Sequence, residues 1–337
     1  AMFESSLYLK SPAWLQEWFL SSRARARRFL REGPEFRRAL ADVSRTQWLD
    51  RQALEKLQLE RLQRVMSHAI RTVPYYRDAA AKLGVNDTFI RHLDDIKRFP
   101  LLTKQIVFEQ GDAMLSTQAK GPRFSASTSG TTGMSMTAYR DLHAINRENA
   151  FVWRCLMWGG LHPGEPRVWL RGDKIVPPDQ TDPPFWRTVK GDSMLMMSAY
   201  HLSDASAASY LEAIEKYDPV VIQGYPSAVL LLARVLLASG RPYRGKRLRS
   251  VVTSSETVTD EHRSIVREAF GCSIIDWYGA MERMVAIGNC EHGNYHLMSD
   301  YSYVEFLPLE DGTHEVVGTG FDNFLMPFIR YRLGDSV

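Results

Sequence analysis

From Arg167 to Tyr278 the chain alternates short β-rich runs with runs of helical period, which limits the folds open to it more than any other feature. Arg167–Arg171 reads as strand, 205–217 as helix, 220–223 as strand and 227–238 as helix. Then 248–254 reads as strand, Asp260–Phe270 as helix and 273–278 as strand. Strand, crossover helix and strand in succession favour parallel pairing, so the expected class is α/β, with layered subdomains and mostly parallel sheets. After about residue 295 the pattern becomes strands and turns: 301–307, a turn at Glu310-Asp311-Gly312, then 315–318. This predicts a small β-rich end. Residues 1–100 read as a helical segment packed on a 101–337 core. Its second helix uses Leu54, Leu57, Leu62, Val65 and Ile70, and ends at Val73-Pro74, where the residue before proline avoids helical backbone.

Composition excludes several classes. Of 337 residues 45% are hydrophobic and the net charge is only +3, which rules out a disordered chain. Cys155, Cys272 and Cys290 are the only cysteines, too few for a disulfide scaffold and suited to a reducing cytoplasm. No apolar run reaches the ~18 residues of a membrane-spanning helix. Residues 1–100 hold 19 Lys and Arg against 12 Asp and Glu; the remainder holds 23 against 27. A basic front half suits either a solvated helical face or an anionic partner, and no nucleic-acid motif accompanies it. Trp14, Leu15, Trp18 and Phe19, followed by Arg23, Arg25, Arg27, Arg28 and Arg31, form an amphipathic helix. It fits packing onto the main domain better than peripheral contact with a membrane surface.

The most specific local feature is residues 125–135, with four Ser, three Thr and two Gly and no charge. Glycines let backbone N–H groups turn inward, and hydroxyls add donors that reorient around phosphate oxygens. A β-like approach precedes the run and Met136-Thr137-Ala138-Tyr139 follows as strand, so it reads as a shaped hairpin turn rather than a tether.

Thr128-Ser129-Gly130-Thr131-Thr132-Gly133 resembles the phosphate-binding loop of the adenylate-forming superfamily, with Met134-Ser135 where Lys-Pro ordinarily follows. Three more motifs follow in the superfamily's order. Ser254-Ser255-Glu256-Thr257 stands for the stretch that lines the adenine pocket. Asp276-Trp277-Tyr278-Gly279-Ala280-Met281-Glu282 matches Tyr-Gly-x-x-Glu, and Tyr331-Arg332-Leu333-Gly334-Asp335 matches Tyr-x-x-Gly-Asp. Gln223-Gly224-Tyr225-Pro226-Ser227, Pro74-Tyr75-Tyr76-Arg77 and 327–332 are similar to phenylacetate-CoA ligase-like proteins, and closer still to CapK-like capsular polysaccharide biosynthesis proteins.

The resemblance implies ATP-dependent activation of a carboxylic acid as acyl-AMP, followed by transfer to coenzyme A. Transfer to an amine, giving an amide, is the alternative enzymatic reading, and a non-catalytic nucleotide-binding protein is the third. Ser129, Gly130, Thr131, Thr132 and Gly133 would hold the β- and γ-phosphates. Glu282 would bind Mg2+, and Glu282 with Thr132 would form the catalytic set. Ser255, Glu256, Thr257, Asp276, Trp277, Tyr278 and Gly279 would line the nucleotide site, with Tyr278 on adenine and Asp276 accepting from its amino group. Thr319 would lie near the α-phosphate and Asp335 would take the ribose hydroxyls. Tyr225, Pro226, Ser227, Gly279, Ala280 and Met281 would border an aryl or apolar acid, with Trp153, Trp158 and Trp169 as pocket lining or core. The resemblance also implies a C-terminal lid domain after residue 337, so the chain is expected to bind nucleotide but turn over weakly. It assigns no oligomeric state.

Cys290-x-His292-x3-His296 offers sulfur and two imidazoles suited to tetrahedral zinc, with Cys272 or His201 as a fourth ligand. A buried Cys with surface histidines in a turn is the competing reading.

Overall fold

The computed structural model describes residues 6–127 and 136–337, which fall into two compact units. The first comprises 6–33, 155–277 and 288–296; the second comprises 34–127, 136–154, 278–287 and 297–337. In chain order the strands are β1 (Phe124–Ser127), β2 (Thr137–Arg140), β3 (Arg167–Arg171), β4 (Trp186–Val189), β5 (Met194–Ser198), β6 (Val221–Gly224) and β7 (Ser250–Ser254). They continue with β8 (Ser273–Gly279), β9 (Ala286–Asn289), β10 (Tyr295–Leu297), β11 (Ser302–Pro308), β12 (His314–Gly320) and β13 (Tyr331–Ser336).

One sheet runs in the order β10-β9-β8-β7-β6-β3-β5-β4. Strands β8, β7, β6, β3 and β5 are mutually parallel, and β4 closes one edge antiparallel to β5. The expected α/β class with a mostly parallel sheet is observed. Strands β5 and β6 are buried along their whole length, so their apolar residues, 194–197 and 221–222, do not alternate with polar ones: a parallel strand covered on both faces has no solvent side. Helices Ala207–Tyr217, Pro226–Ala238 and Asp260–Phe270 are the crossovers, and Leu211, Ile214, Leu232, Val266 and Phe270 pack with Val168, Ile222 and Val251. Thr259 caps the last helix through His262 N–H, and Gly271 ends it with φ 70°. The Arg-rich helix Ala13–Arg31 lies on β4, buries Gln16, Leu20, Ser21 and Ala24, and exposes Trp14 and Trp18. Its Gln16 accepts from Arg187 Nε at 2.7 Å.

In the second unit β1 and β2 form an antiparallel pair with Ser127 opposite Thr137. Strands β11, β12 and β13 make a separate antiparallel sheet, the β-rich end that the turn pattern predicts. Helix Arg51–Thr72 is capped by the Asp50 side chain and stops at Val73, and Pro74 opens the next helix at its first turn. Leu62, Val65, Met66, Tyr76, Phe99, Leu102, Phe328 and Ile329 form the core here. No helix among the described residues is long and apolar enough to cross a membrane.

Buried ion pairs organise this unit. Arg330 Nε and Nη2 meet the two Glu305 oxygens at 2.9 and 2.8 Å, and Nη1 donates to the carbonyls of Lys97 and Phe99. Both side chains are buried, so truncating one strands a charge in a low-dielectric interior. Glu305→Ala is expected to destabilise the protein by about 3–5 kcal/mol in urea titration. The partly exposed Arg332–Glu315 pair, broken by Glu315→Ala, should cost under about 1 kcal/mol.

Asp42 accepts from Arg61, Arg147 and Arg45. Burial opposes its ionisation, but the hydrogen bond and charge of Arg147, with Arg61 and Arg45, outweigh burial and hold its carboxyl below the ordinary value of 3.8. The contribution of Asp42 to stability is therefore complete above pH 3.8 and is lost as pH falls through the folded-state value. Asp42→Asn should flatten the loss of stability below about pH 4, read from unfolding midpoints between about pH 2 and 7.

Candidate functional site

The motif residues divide between the two units. In the first, β7 ends at Ser254, and Ser255 takes φ 74°, left-handed backbone that serine adopts rarely. The turn returns Glu256 to helix Pro226–Ala238. Glu256 Oε2 accepts from Ser227 N–H at 2.9 Å and Oε1 from Ser227 Oγ at 3.0 Å. A carboxylate suits this position because unpaired N–H groups make a helix N-terminus partially positive. Pro226 stands in the first turn, where its missing N–H costs nothing. Glu256 and Ser227, expected in nucleotide and acyl pockets respectively, are thus one bonded assembly, with half-buried Tyr225 at the N-cap and Thr257 exposed.

Asp276 is buried on β8. Its Oδ1 accepts from Thr253 Oγ1 at 2.7 Å and its Oδ2 from the Tyr295 hydroxyl at 3.1 Å, while its N–H donates to Asn289 Oδ1 at 2.5 Å. Arg263 Nη2 donates in turn to the Tyr295 hydroxyl at 2.7 Å. Burial, and then the Asp276 charge, pushes the Tyr295 phenol up, so its proton stays on oxygen to be donated. A carboxylate so held keeps lone pairs for one further donor. Trp277 follows it, half-buried.

In the second unit the Tyr278 hydroxyl donates to Asp335 Oδ2 at 2.5 Å, and the Tyr331 hydroxyl donates to Glu282 Oε1 at 3.2 Å. Burial and the adjacent carboxylate push both phenols up. Gly279 is exposed, and Ala280 and Met281 are half-buried. Arg283, at φ 62°, follows Glu282, and Met284 then lies against β12. A Cβ at Gly318 would stand 2.5 Å from the Met284 carbonyl oxygen, so only glycine lets β12 pass this loop. Thr319 is fully buried, and its Oγ1 accepts from Arg330 N–H at 2.9 Å.

The two branch motifs meet in this unit. The Tyr76 hydroxyl donates to the Pro327 carbonyl at 2.8 Å and accepts from Ile329 N–H at 3.1 Å, with Tyr76 buried. They fix the approach to Tyr331 and Asp335. Ser129, Gly130, Thr131, Thr132 and Gly133 lie outside the described residues; β1 and β2 flank them.

The zinc expectation is corrected. No group of three metal-ligating side chains assembles among the described residues. Residues 290–294 close a tight hairpin turn, with Cys290 N–H on the Asn294 carbonyl and Gly293 at φ 82°. His292 stands in solvent beside Glu291, and His296 packs edge-on against Trp158. His201 Nδ1 is 2.8 Å from Ser198 Oγ, and burial pushes the Cys272 thiol up to about 12, disfavouring the thiolate a metal needs. Purified protein should contain less than one equivalent of zinc by elemental analysis, and chelator should leave its unfolding temperature unchanged.

Sequence reasoning missed Arg171, Thr253, Asn289 and the bonding role of Tyr295. A charged residue ending a parallel strand before glycine, as in Arg171-Gly172, is the one signal that was available.

The chain is 26% identical over 284 residues to Protein CapK of Staphylococcus aureus, covering 84% of this chain and 63% of that protein. It is 27% identical over 311 residues to the phenylacetate-coenzyme A ligase of Pseudomonas putida, covering 88% and 69%. The Escherichia coli phenylacetate-coenzyme A ligase is 27% identical over 296 residues, covering 84% and 66%. These proteins are its homologues, and the chain spans about two thirds of their length. Among solved structures, 2-hydroxyisobutyryl-CoA ligase in complex with 2-HIB-AMP and CoA in an open conformation superposes with TM-score 0.59 at 20% identity, over 84% of this chain and 69% of that one. Its thioesterification state gives TM-score 0.60 at 21% identity, over 86% and 64%. The fold is that of the adenylate-forming CoA ligases. No protein-family model matches the chain.

Proposed function

We propose that this chain carries the acid- and nucleotide-binding part of an ATP-dependent acid–CoA ligase that forms an acyl-AMP and passes the acyl group to coenzyme A. The observation that carries the reading is the pair of tyrosine–carboxylate contacts in one unit, Tyr278 with Asp335 and Tyr331 with Glu282, within the fold shared with ligases that hold an acyl-AMP.

A free carboxylate is a poor acyl donor; joined to AMP, it gains a good leaving group, with pyrophosphate as the other product. The reaction gathers charge on phosphate oxygens, so positioning and electrostatic stabilisation do most of the work. Asp335 is exposed, and its two oxygens suit the two ribose hydroxyls. Tyr278 supplies an aromatic face and keeps Asp335 oriented. Glu282 has one oxygen on Tyr331 and the other without a described donor, a hard oxygen suited to Mg2+, which would neutralise phosphate charge. The Ser129–Gly133 stretch would supply phosphate donors. Dependence on ATP and coenzyme A makes the cytoplasm the compartment for this reaction.

Asp335→Ala should weaken AMP binding on the order of tenfold to hundredfold by calorimetry, the loss of charge-assisted hydrogen bonds. Glu282→Gln should weaken Mg-ATP binding while leaving AMP binding within about twofold. Unaltered Mg-ATP affinity and activity in Glu282→Gln would remove the Mg2+ assignment. Pyrophosphate release over a panel of aryl and aliphatic acids, with coenzyme A or with amines, separates thioester from amide formation. No release with any acid would leave a nucleotide-binding protein.

A further inference from the structure

Arg171 ends β3 at the carboxyl edge of the parallel strands, where ligand crevices of open α/β sheets form. Its guanidinium lies over two aromatic rings, 5.2 Å from the Trp169 ring centre and 5.0 Å from that of Tyr225. Nη2 donates to the hydroxyls of Ser254 and Ser255, the residues leading out of β7. Nε is shielded from solvent and has no acceptor, and Nη1 has none among the described residues.

The nearby carboxylates are engaged elsewhere. Asp173 accepts from Trp169 Nε1 at 2.6 Å, and Glu256 holds Ser227 at the helix N-terminus. No carboxylate among the described residues is ion-paired with Arg171. Burial disfavours its charge, yet a guanidinium stays protonated. A half-desolvated cation with only neutral hydroxyls for partners is unfavourable unless a ligand brings the anion. Gly172 lets the Tyr225 and Tyr200 hydroxyls approach the backbone next to it, since a Cβ there would come 3.3 Å from the first and 3.4 Å from the second.

We propose that Arg171 binds a second carboxylate on the acid substrate, remote from the one that is activated, and so selects aryl dicarboxylates over the corresponding monoacids. This rests on the acid-binding reading above and narrows it. The charge, with the Nε and Nη1 donors that no described residue answers, suits a carboxylate oxygen, and the Trp169 and Tyr225 side chains make the surroundings aromatic. Tyr225 and Ser227, expected to border the acid, lie in the same unit as Arg171, and the Tyr225 ring lies beside its guanidinium.

Calorimetric titration with phenylacetate and with 4-carboxyphenylacetate tests the assignment without turnover, so it stays readable even if no acid gives pyrophosphate release. The expected result is that the unmodified protein binds the diacid about tenfold or more tightly. Arg171→Gln should abolish that preference while leaving phenylacetate and AMP affinity within about twofold. Arg171→Lys, which keeps the charge but not the planar set of fixed donors, should retain part of it. Absence of a preference in the unmodified protein overturns the proposal. So does a preference that survives in Arg171→Gln, or a loss in that variant of AMP, pyrophosphate or coenzyme A binding instead. If Arg171→Gln lacks the circular dichroism of a folded protein, the unmodified protein and Arg171→Lys decide.

Discussion

The second unit depends on the buried contact between Arg330 and Glu305. Four hydrogen bonds leave this guanidinium, two to a carboxylate on β11 and two to the carbonyls of Lys97 and Phe99. Backbone pairing continues from it: Leu102 N–H donates to the Arg330 carbonyl, and Arg332 N–H to the Leu102 carbonyl, each at 2.9 Å. One side chain thus joins the 93–102 segment to the sheet. The next residue carries the hydroxyl that meets Glu282, and Asp335 lies four residues beyond that. A buried charge pair is weak evidence for net stability, but it is strong for register, because every alternative pairing leaves two charges uncompensated. Tyr76 reinforces the arrangement from the helical side by bonding both neighbours of Phe328.

Five non-glycine residues among those described take positive φ; Ser193 and Asp218 lie away from the motifs, and the other three lie in or beside them. Ser255, Arg283 and Arg330 all take positive φ, at 74°, 62° and 52°. None is a glycine, so each costs on the order of 1–3 kcal/mol and persists only where neighbouring contacts over-determine it. Ser255 is held through Arg171, Arg283 between Glu282 and the wedged Met284, and Arg330 through Glu305. Each lies in or beside one of the ordered motifs. Glycine would relax the backbone at any of them but would remove the side-chain contact that defines the turn.

Apart from β4 and β5, which the sequence reading did not anticipate, the strands and helices between 167 and 278 were legible within about two residues, because buried apolar runs and helix caps are local signals. Val221–Gly224 reads as strand from its own composition, and Pro226 and Gly271 mark helix ends by their own chemistry. The bonding of Asp276 was not legible. Its partners Thr253, Asn289 and Tyr295 lie on three other strands, and only the order β10-β9-β8-β7 brings them to one carboxylate. Glu256 read as pocket lining, whereas its position at a helix N-terminus follows from a turn made by the left-handed Ser255. The zinc spacing at 290–296 failed for a local reason. Gly293 closes a hairpin that leaves His292 in solvent, so ligand-like spacing existed without convergence.

Two arginines in this molecule show how burial alone separates nothing. Arg330 and Arg171 are both withdrawn from water, both sit at a strand end and both belong to motif neighbourhoods. Arg330 has a carboxylate matched to its fork and carbonyls for the remaining donors, so its desolvation is offset within the fold. Arg171 has two serine hydroxyls, two ring faces and donors without acceptors. Ring faces stabilise a cation by roughly 0.5–2 kcal/mol each, less than a buried carboxylate supplies. The first arginine is scaffolding, since its charge is already answered. The second retains an electrostatic deficit at the carboxyl edge of a parallel sheet that no carboxylate among the described residues answers, and an anionic ligand is the group whose charge would complete it.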